Sequence, residues 1–533
     1  MPKRVIEIDQ TSPSLRAWLS TDAPAAPYVA LSYCWGGDQM AKTVKSRVTV
    51  YEKDIPLHTL PQTIQDAIVV TRGIGLRYLW VDAMCIIQDD GDDMAEQIGQ
   101  MYAVYRNAYV TVSAATAATS QEVRSYTPHT APSPTKHLPF PESHPLTQPP
   151  GLPPTPHPIP RLPPLRPPRR QRLRPRPRRP RAQISPCPPP PAAAVDYPLF
   201  TRGWTYQEHQ LSPRILIYGS CEMLSWCAEA THRDGGNEHP HWQEHNQYAG
   251  LLFYQGQLGT SHSTSHHPKA WGDVIENYSQ RKLTVEDDKL PAVGAVAERY
   301  AETAKVSEYL AGMWREELLL QCLWRVWNPK KTRRPGKYRA PSWSWAALDG
   351  DVEPWVDEGG EGKVRKVECE LIHAETELCS VKMRFGSVKG GSMRVRARMR
   401  RVLWFNHDEY RRGRYQALNL CHGRGPEVED EELALLMQWG GMDPRLTLNI
   451  DVVGEWPVDE EIVLWSMEVY ATGVEGEVES GEGILLQQVD NGSAAGADVF
   501  RRVGRISVQS QDYMREPCWF NKREAEWKDI TII

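Results

Sequence analysis

The sequence predicts an α/β protein: a parallel sheet with flanking helices in its first part, then a helical region, then a β-rich C-terminal part. Three observations carry this expectation. Short apolar runs at Tyr28–Tyr33, Arg77–Val81 and Tyr109–Val112 alternate with segments of helical spacing, the pattern of βαβ units joined by right-handed crossovers. Leu290, Val293, Val296 and Ala297 repeat at helical spacing inside a region of about 270–326. Beyond Tyr338 the dominant period is two, as in Ser392–Arg398, which is the signature of strands.

Taken in order, Tyr28–Tyr33 is a buried strand halted by a tight turn at Trp35-Gly36-Gly37. At Thr59-Leu-Pro-Gln62 a helix begins, with Thr59 as its cap, Gln62 closing a capping box and Pro61 in the first turn. Leu60, Ile64, Ala67, Ile68 and Thr71 share one face of that helix, and Gly73 and Gly75 end it. Arg77–Val81 is a second strand closed by Asp82. Asp93 with Glu96 opens a helix carrying Met94, Ile98, Met101 and Tyr105 on one side, and Tyr109–Val112 is a third strand. In such sheets ligands sit beyond the carboxyl ends of the strands, where Ser32–Gly37 and Asp82–Gln88 lie. A further helix is expected near Thr205–Leu211, followed by a hairpin of Arg214–Tyr218 and Glu222–Trp226 across Gly219-Ser220. A loop rich in His, Gly and Gln occupies about 231 to 268.

A chain of 533 residues exceeds what one ordinary core organises. Its net charge is −5, yet Arg161–Arg181 alone holds ten arginines and no acid, so everything else sums to −15. An acidic body argues against nucleic-acid binding. The cysteines show no framework spacing and the start MPKRVIEIDQ lacks an apolar stretch, so a reduced, cytoplasmic protein is expected. No run approaches the roughly 20 apolar residues of a membrane span. No fixed-period repeat points to a solenoid or propeller. Residues 119–197 shift abruptly to Pro, Arg, His, Ser and Thr, a composition that cannot form a core. That stretch reads as a disordered insertion, as a basic polyproline-like arm, or as a mis-spliced or frame-shifted gene model, because the wrong frame of GC-rich DNA yields Pro and Arg.

The segments Ala30-Leu-Ser-Tyr-Cys-Trp-Gly36, Leu60-Pro-Gln-Thr-Ile-Gln-Asp-Ala67, Tyr78-Leu-Trp-Val-Asp-Ala-Met-Cys-Ile-Ile-Gln88 and Arg202-Gly-Trp-Thr-Tyr-Gln-Glu208 resemble, in order, the motifs of the fungal heterokaryon incompatibility (HET) domain. Tyr278-Ser-Gln-Arg-Lys-Leu-Thr284, Asp288-Lys-Leu, Tyr309-Leu-Ala-Gly-Met-Trp314 and Tyr338-Arg-Ala-Pro-Ser-Trp-Ser-Trp345 resemble the region that follows it in many such proteins. The organisation this implies is a HET domain split into 1–118 and 198–230 by the insertion 119–197, a helical region 231–350, and a β-rich region 351–533 of unassigned role. In the family the insertion would be a short connector. The resemblance implies a role in nonself recognition, with programmed cell death triggered once a sensor or partner acting in trans engages the domain, and self-association of the chain as a further expectation.

HET domains also resemble, at a distance, TIR domains, some of which cleave the nicotinamide–ribose bond of NAD with a glutamate four residues after a tryptophan. That likeness implies a TIR-like or flavodoxin-like sheet, and it makes NAD a candidate substrate, with no cofactor required. Trp204 and Glu208 have the spacing, and i and i+4 share a helix face, so an indole wall can raise the carboxylate's pKa. Glu208 is the candidate catalytic group. Ser32, Tyr33, Trp35, Asp82, Arg202 and Trp204 are candidate substrate contacts, with Tyr33 or Trp35 stacking on a ring and Arg202 pairing with a phosphate. Against this, Glu208 can cap or pair with Arg202 or Arg214, Trp204, Trp35 and Trp80 can be core, and Asp82 can cap a turn. In the non-enzymatic alternative the domain recruits partners in the death pathway. Cys85 beside His209 reads as a buried structural thiol rather than a nucleophile. Cys221, Cys227 and His232 lack the paired spacing of a zinc site, and no phosphate-binding GxxxxGK[ST] loop occurs.

Overall fold

A computed structural model describes residues 1–12, 15–120, 197–219, 223–227, 231–234, 268–355, 364–405, 418–419, 446–457, 461–474, 477–489, 498–509 and 526–533. The Pro/Arg-rich stretch and most of the His-rich loop lie outside the described residues.

The first sheet comprises β1 (Arg4–Ile8), β2 (Ala17–Thr21), β3 (Tyr28–Ser32), β4 (Tyr78–Trp80), β5 (Val110–Ser113), β6 (Arg214–Tyr218), β7 (Met223–Cys227) and β8 (Thr231–Asp234) in the order β2-β1-β4-β3-β5-β6-β7-β8. Its middle is parallel: β4 and β5 both pair with β3, and β6 pairs with β5. Numbered along the chain, these four strands run 2-1-3-4, so the order reverses between β3 and β5. That reversal is the topological switch point where ligands bind in doubly wound sheets. Every residue of β3, β4 and β5 is buried, as expected for strands covered on both faces.

Both edges differ from the expected purely parallel sheet. β1 pairs antiparallel with β2 and β4, and β6-β7-β8 form an antiparallel meander. Residues before Tyr28 and the hairpin after α6 thus close the sheet at each side.

The helices follow sequence periodicity with instructive exceptions. After α1 (Val48–Tyr51), α2 (Gln62–Gly73) buries Ile64, Ala67, Ile68 and Thr71 as its apolar spacing requires. Thr59 does not cap it: its hydroxyl bonds the Pro56 carbonyl, and the Gln62 amide bonds Asp66. The short α3 (Asp82–Cys85) begins at the end of β4. α4 (Gly91–Gly99) is capped by Asp90, not Asp93, and the run breaks at Gln100 before α5 (Met101–Asn107). The reason is Asp93 itself. It turns inward at 7% exposure to pair with Arg4, while Met94 and Ile98 stay half-buried. α6 (Trp204–Leu211) precedes β6.

Next come α7 (Pro268–Ser279) and α8 (Pro291–Ala304). Beyond Ala304 the chain is made of short pieces: β9 (Tyr309–Leu310), β10 (Met313–Trp314), α9 (Leu318–Gln321), β11 (Arg325–Val326) and β12 (Val352–Glu353). The C-terminal sheet contains β13 (Val364–Val367), β14 (Glu370–Leu378), β15 (Val388–Phe405), β16 (Leu418–Asn419), β17 (Leu446–Ile450), β18 (Glu461–Val474), β19 (Glu477–Gln488), β20 (Val499–Gln509) and β21 (Glu526–Ile532). Pairing runs β18-β19-β20-β21-β15 and returns from β15 to β18, closing a ring that leaves those strands no free edge. Met393, Val395, Ala397 and Met399 of β15 alternate inward and join Trp271, Val293 and Tyr206 in one apolar core. The helical region and the β-rich part therefore share a core.

Arg4 anchors the segment that follows β4. Its guanidinium bonds the Cys85 carbonyl at 2.8 Å and the Asp93 carboxylate, which also accepts the Ile87 N–H. Removing one partner strands a buried charge. Asp93→Ala is expected to lower unfolding free energy by about 3–5 kcal/mol in denaturant titration, with Arg4→Met and Asp93→Leu together recovering most of that loss.

Candidate functional site

The carboxyl ends of the parallel strands bring together residues far apart in sequence. β3 ends at Ser32 and leads to Tyr33 and Trp35; β4 leads to Asp82; Arg202 lies just before α6, which carries Glu208 in its middle. Two glycines allow this. Gly36 has φ +74°, and a Cβ there would lie 2.3 Å from Thr119 Cβ, so only glycine lets the turn after β3 pass the segment after β5. At Gly203 a Cβ would lie 2.4 Å from Leu283 Cδ2, and the Gly203 N–H donates to the Lys282 carbonyl at 2.8 Å. The first turn of α6 is thereby pressed against the segment that follows α7.

Glu208 is 6% exposed. Its carboxyl meets the hydroxyls of Ser32 and Tyr105, with Asp82 and Arg202 close enough to act through their charges. Burial pushes its pKa up to about 8, and the Asp82 charge adds to that rise against the opposing pull of Ser32, Arg202 and Tyr105. The carboxyl is therefore neutral at pH 7. The Leu31 carbonyl, 3.2 Å away, competes with the carboxylate for the one proton of the Tyr105 hydroxyl.

Asp82 accepts the Trp35 indole N–H at 2.8 Å and the backbone N–H of Ala83 at 2.6 Å. Burial raises its pKa, partly offset by these bonds and by Arg202. Tyr33, 4% exposed, approaches Gln39 at 3.3 Å and also bonds Asp82. His209 Nε2 lies 3.4 Å from Ser32 Oγ. Burial, then the Arg281 cation, push the imidazole down to about 3, so it is neutral and a weak base, poorly suited to activating a serine.

Of the residues singled out from the sequence, Ser32, Tyr33, Asp82, Arg202 and Glu208 share one electrostatic neighbourhood, and Trp35 joins it through Asp82. Trp204 aims its indole N–H at Asp288, 2.9 Å away, and packs against the core of the helical region. Cys85 is fully buried, its thiol pushed up to about 12 by burial, which makes it inert. Cys221 lies outside the described residues, and His232 is described only as strand backbone.

Two members escaped the sequence reading as site residues. Tyr105 was visible only as an apolar helix position. Arg281 comes from the segment after α7, bonds the Arg202 carbonyl at 3.3 Å and Thr205 Oγ1 at 3.4 Å, and lies over the Tyr206 ring at 4.8 Å. The arginine in Tyr278-Ser-Gln-Arg-Lys was its only sequence signal. Among the described residues no group of three or more His, Cys, Asp or Glu side chains could hold a metal, and no helix is long and apolar enough to cross a membrane.

A parallel-centred α/β sheet with a buried carboxyl at its switch point defines a doubly wound domain with a ligand-site geometry. Residues 28–208, the span from β3 to Glu208, match the family model described as heterokaryon incompatibility protein (HET). Over that span the chain is similar to HET domains, and heterokaryon incompatibility is the role that such a domain suggests. Comparison with curated proteins and with solved structures gave no match.

The raised pKa of Glu208 has a stability consequence. Above pH 4.5 the unfolded chain ionises this group, whereas the folded chain keeps the proton until about pH 8. Folding stability therefore falls as pH rises from 4.5 to 8, by on the order of 3 kcal/mol at pH 7. Glu208→Gln is expected to melt higher than wild type at pH 8, with the difference vanishing towards pH 4.5 in thermal scans.

Proposed function

We propose that this HET domain is a cytoplasmic effector of fungal nonself recognition that triggers cell death by cleaving the bond between nicotinamide and ribose in NAD, with Glu208 as the catalytic carboxylate. The observation that carries the reading is the convergence of Glu208, Asp82, Arg202, Ser32 and Tyr33 at the switch point of a parallel sheet. Perturbed carboxyls in such positions are characteristic of reaction sites.

The chemistry asks little else of the protein. The C1′–N bond breaks, nicotinamide leaves with the bonding electrons as a neutral ring, and the ribosyl cation is stabilised by the Glu208 carboxylate. Water then adds to C1′ and releases a proton. Glu208, neutral at pH 7 when alone, ionises when the cationic nicotinamide ring arrives beside it, because an opposite charge favours the carboxylate. Arg202, whose charge reaches Glu208 and Asp82, is the group proposed to pair with the diphosphate. Trp35, half-buried, offers a ring for stacking, and it and Tyr33 both bond Asp82.

At 6% exposure Glu208 is nearly closed off, and the Trp35 indole N–H is held on Asp82 at 2.8 Å. A resting site of this kind supports activation in trans, by a sensor protein or by self-association, that draws the Trp35 turn away. The same burial favours a second reading, in which the domain works by assembly and recruits partners of the death pathway while the carboxyl serves only the fold.

Purified protein, with 120–197 replaced by a short linker and concentrated to promote association, is expected to deplete NAD, while Glu208→Gln loses about 10²–10³-fold or more of that rate. NAD loss by both proteins at equal rates would exclude Glu208. Death of cells expressing Glu208→Gln at wild-type frequency would support the assembly reading.

The pH profile gives a second check. Because the free carboxyl titrates near 8, kcat/KM is expected to rise about tenfold per pH unit below that value and level off above it. A profile flat from pH 6 to 9 would contradict an ionised Glu208.

A further inference from the structure

We propose that Ser113 is a further substrate-binding residue of the Glu208 site, its hydroxyl holding a hydroxyl of the sugar that carries the scissile bond. The inference rests on the reading of the site as one that cleaves a nucleotide glycosidic bond.

Four observations place Ser113 there. It is the last residue of β5 and pairs in parallel register with Ser32, the last residue of β3, so the two serines flank the switch point between those strands. Partners in parallel register point to the same sheet face at an interstrand spacing of about 5 Å. Ser32 on that face bonds the Glu208 carboxyl and lies 3.4 Å from His209, so Ser113 neighbours the serine that holds this carboxyl. Ser113 is fully buried, and its Oγ has no hydrogen-bond partner.

The contrast with its neighbours is what makes the orphan hydroxyl informative. Thr111, two residues earlier and on the same face, bonds Ser212 at 2.6 Å, and Ser212 in turn bonds the Glu208 carbonyl at 2.6 Å. Those hydroxyls lock the end of α6. Ser113 locks nothing, although a buried unpaired hydroxyl is costly. Alanine or valine would fill the position more favourably if packing were its purpose. A hydroxyl that can both donate and accept, in register with the serine that bonds the Glu208 carboxyl, fits a sugar hydroxyl, which needs the same pair of roles.

The test separates this inference from the reading it rests on. NAD binding to the linker-replaced Glu208→Gln protein is measured by calorimetry with and without Ser113→Ala, alongside steady-state turnover of Ser113→Ala and Ser113→Thr in the otherwise wild-type protein. Ser113→Ala is expected to weaken NAD binding and raise KM by about tenfold, to leave the apparent pKa of the profile in place, and to remove the penalty for deoxyribose analogues of NAD. Ser113→Thr, which restores a hydroxyl, should recover at least part of the loss. The melting temperature of Ser113→Ala should be unchanged or higher, because no bond is lost; a lower one would show a structural hydroxyl and overturn the proposal. Equal NAD affinity with and without Ser113→Ala would also overturn it and leave the proposed function standing. Neither binding nor turnover of NAD by any of the proteins would overturn both.

Discussion

The burial of one carboxyl group governs how the rest of the domain is put together. Glu208 sits in the middle of α6 at 6% exposure, and each surrounding element contributes something that makes this tolerable. β3 supplies the Ser32 hydroxyl, α5 supplies Tyr105, and the segment before α6 supplies the Arg202 cation. Both ends of α6 are pinned by bonds from elsewhere. Arg281 bonds the Arg202 carbonyl and the Thr205 hydroxyl at its start, and Ser212 with Thr111 holds its end. A helix of eight residues has little stability of its own. Its position, and with it the protonation state of Glu208, is set by tertiary contacts.

α6 also joins the two halves of the described chain. Glu208 faces the parallel sheet, whereas Tyr206 enters the apolar core that continues through α7 and α8 into the closed ring of C-terminal strands. That core is fastened by Arg502, which is fully buried, bonds Asp451, Cys322 and Trp324, and stacks on the Trp324 ring. The family match ends at Glu208, yet the residues that position Glu208 extend to Arg281 and Lys282. Arg281 and Lys282 bond Arg202, Gly203 and Thr205, and so fix the start of the helix that carries the carboxyl.

Local patterns were legible because they are written in neighbouring residues. The face Leu60, Ile64, Ala67, Ile68 and Thr71 is buried as its spacing requires, the strands at Tyr28, Tyr78 and Val110 form, and the hairpin after α6 is present. Misreadings arose where a charge overrode periodicity. Asp93 is buried by its pairing with Arg4, across 89 residues, and so the apolar positions of α4 are less covered than the polar one. The antiparallel edge strands near Arg4 and Ala17 were missed for a related reason. Arg4 and Glu7 break the apolar run of β1, although both are buried.

By itself the sequence determined the mixed α/β class of the fold and the order of its parts, and it singled out Ser32, Tyr33, Trp35, Asp82, Arg202 and Glu208 but not Tyr105 or Arg281, because hydrophobic period, turn chemistry and motif order are local properties of the chain. Only the tertiary structure decided which of those residues meet, that Trp204 turns to Asp288, that Arg281 joins the site, and that Ser113 stands beside Ser32 without a partner. It also decided that Glu208 keeps its proton up to about pH 8. The reason is that a carboxyl's pKa depends on how completely water is removed from it and on which charges remain near, and here the groups responsible come from segments more than a hundred residues apart.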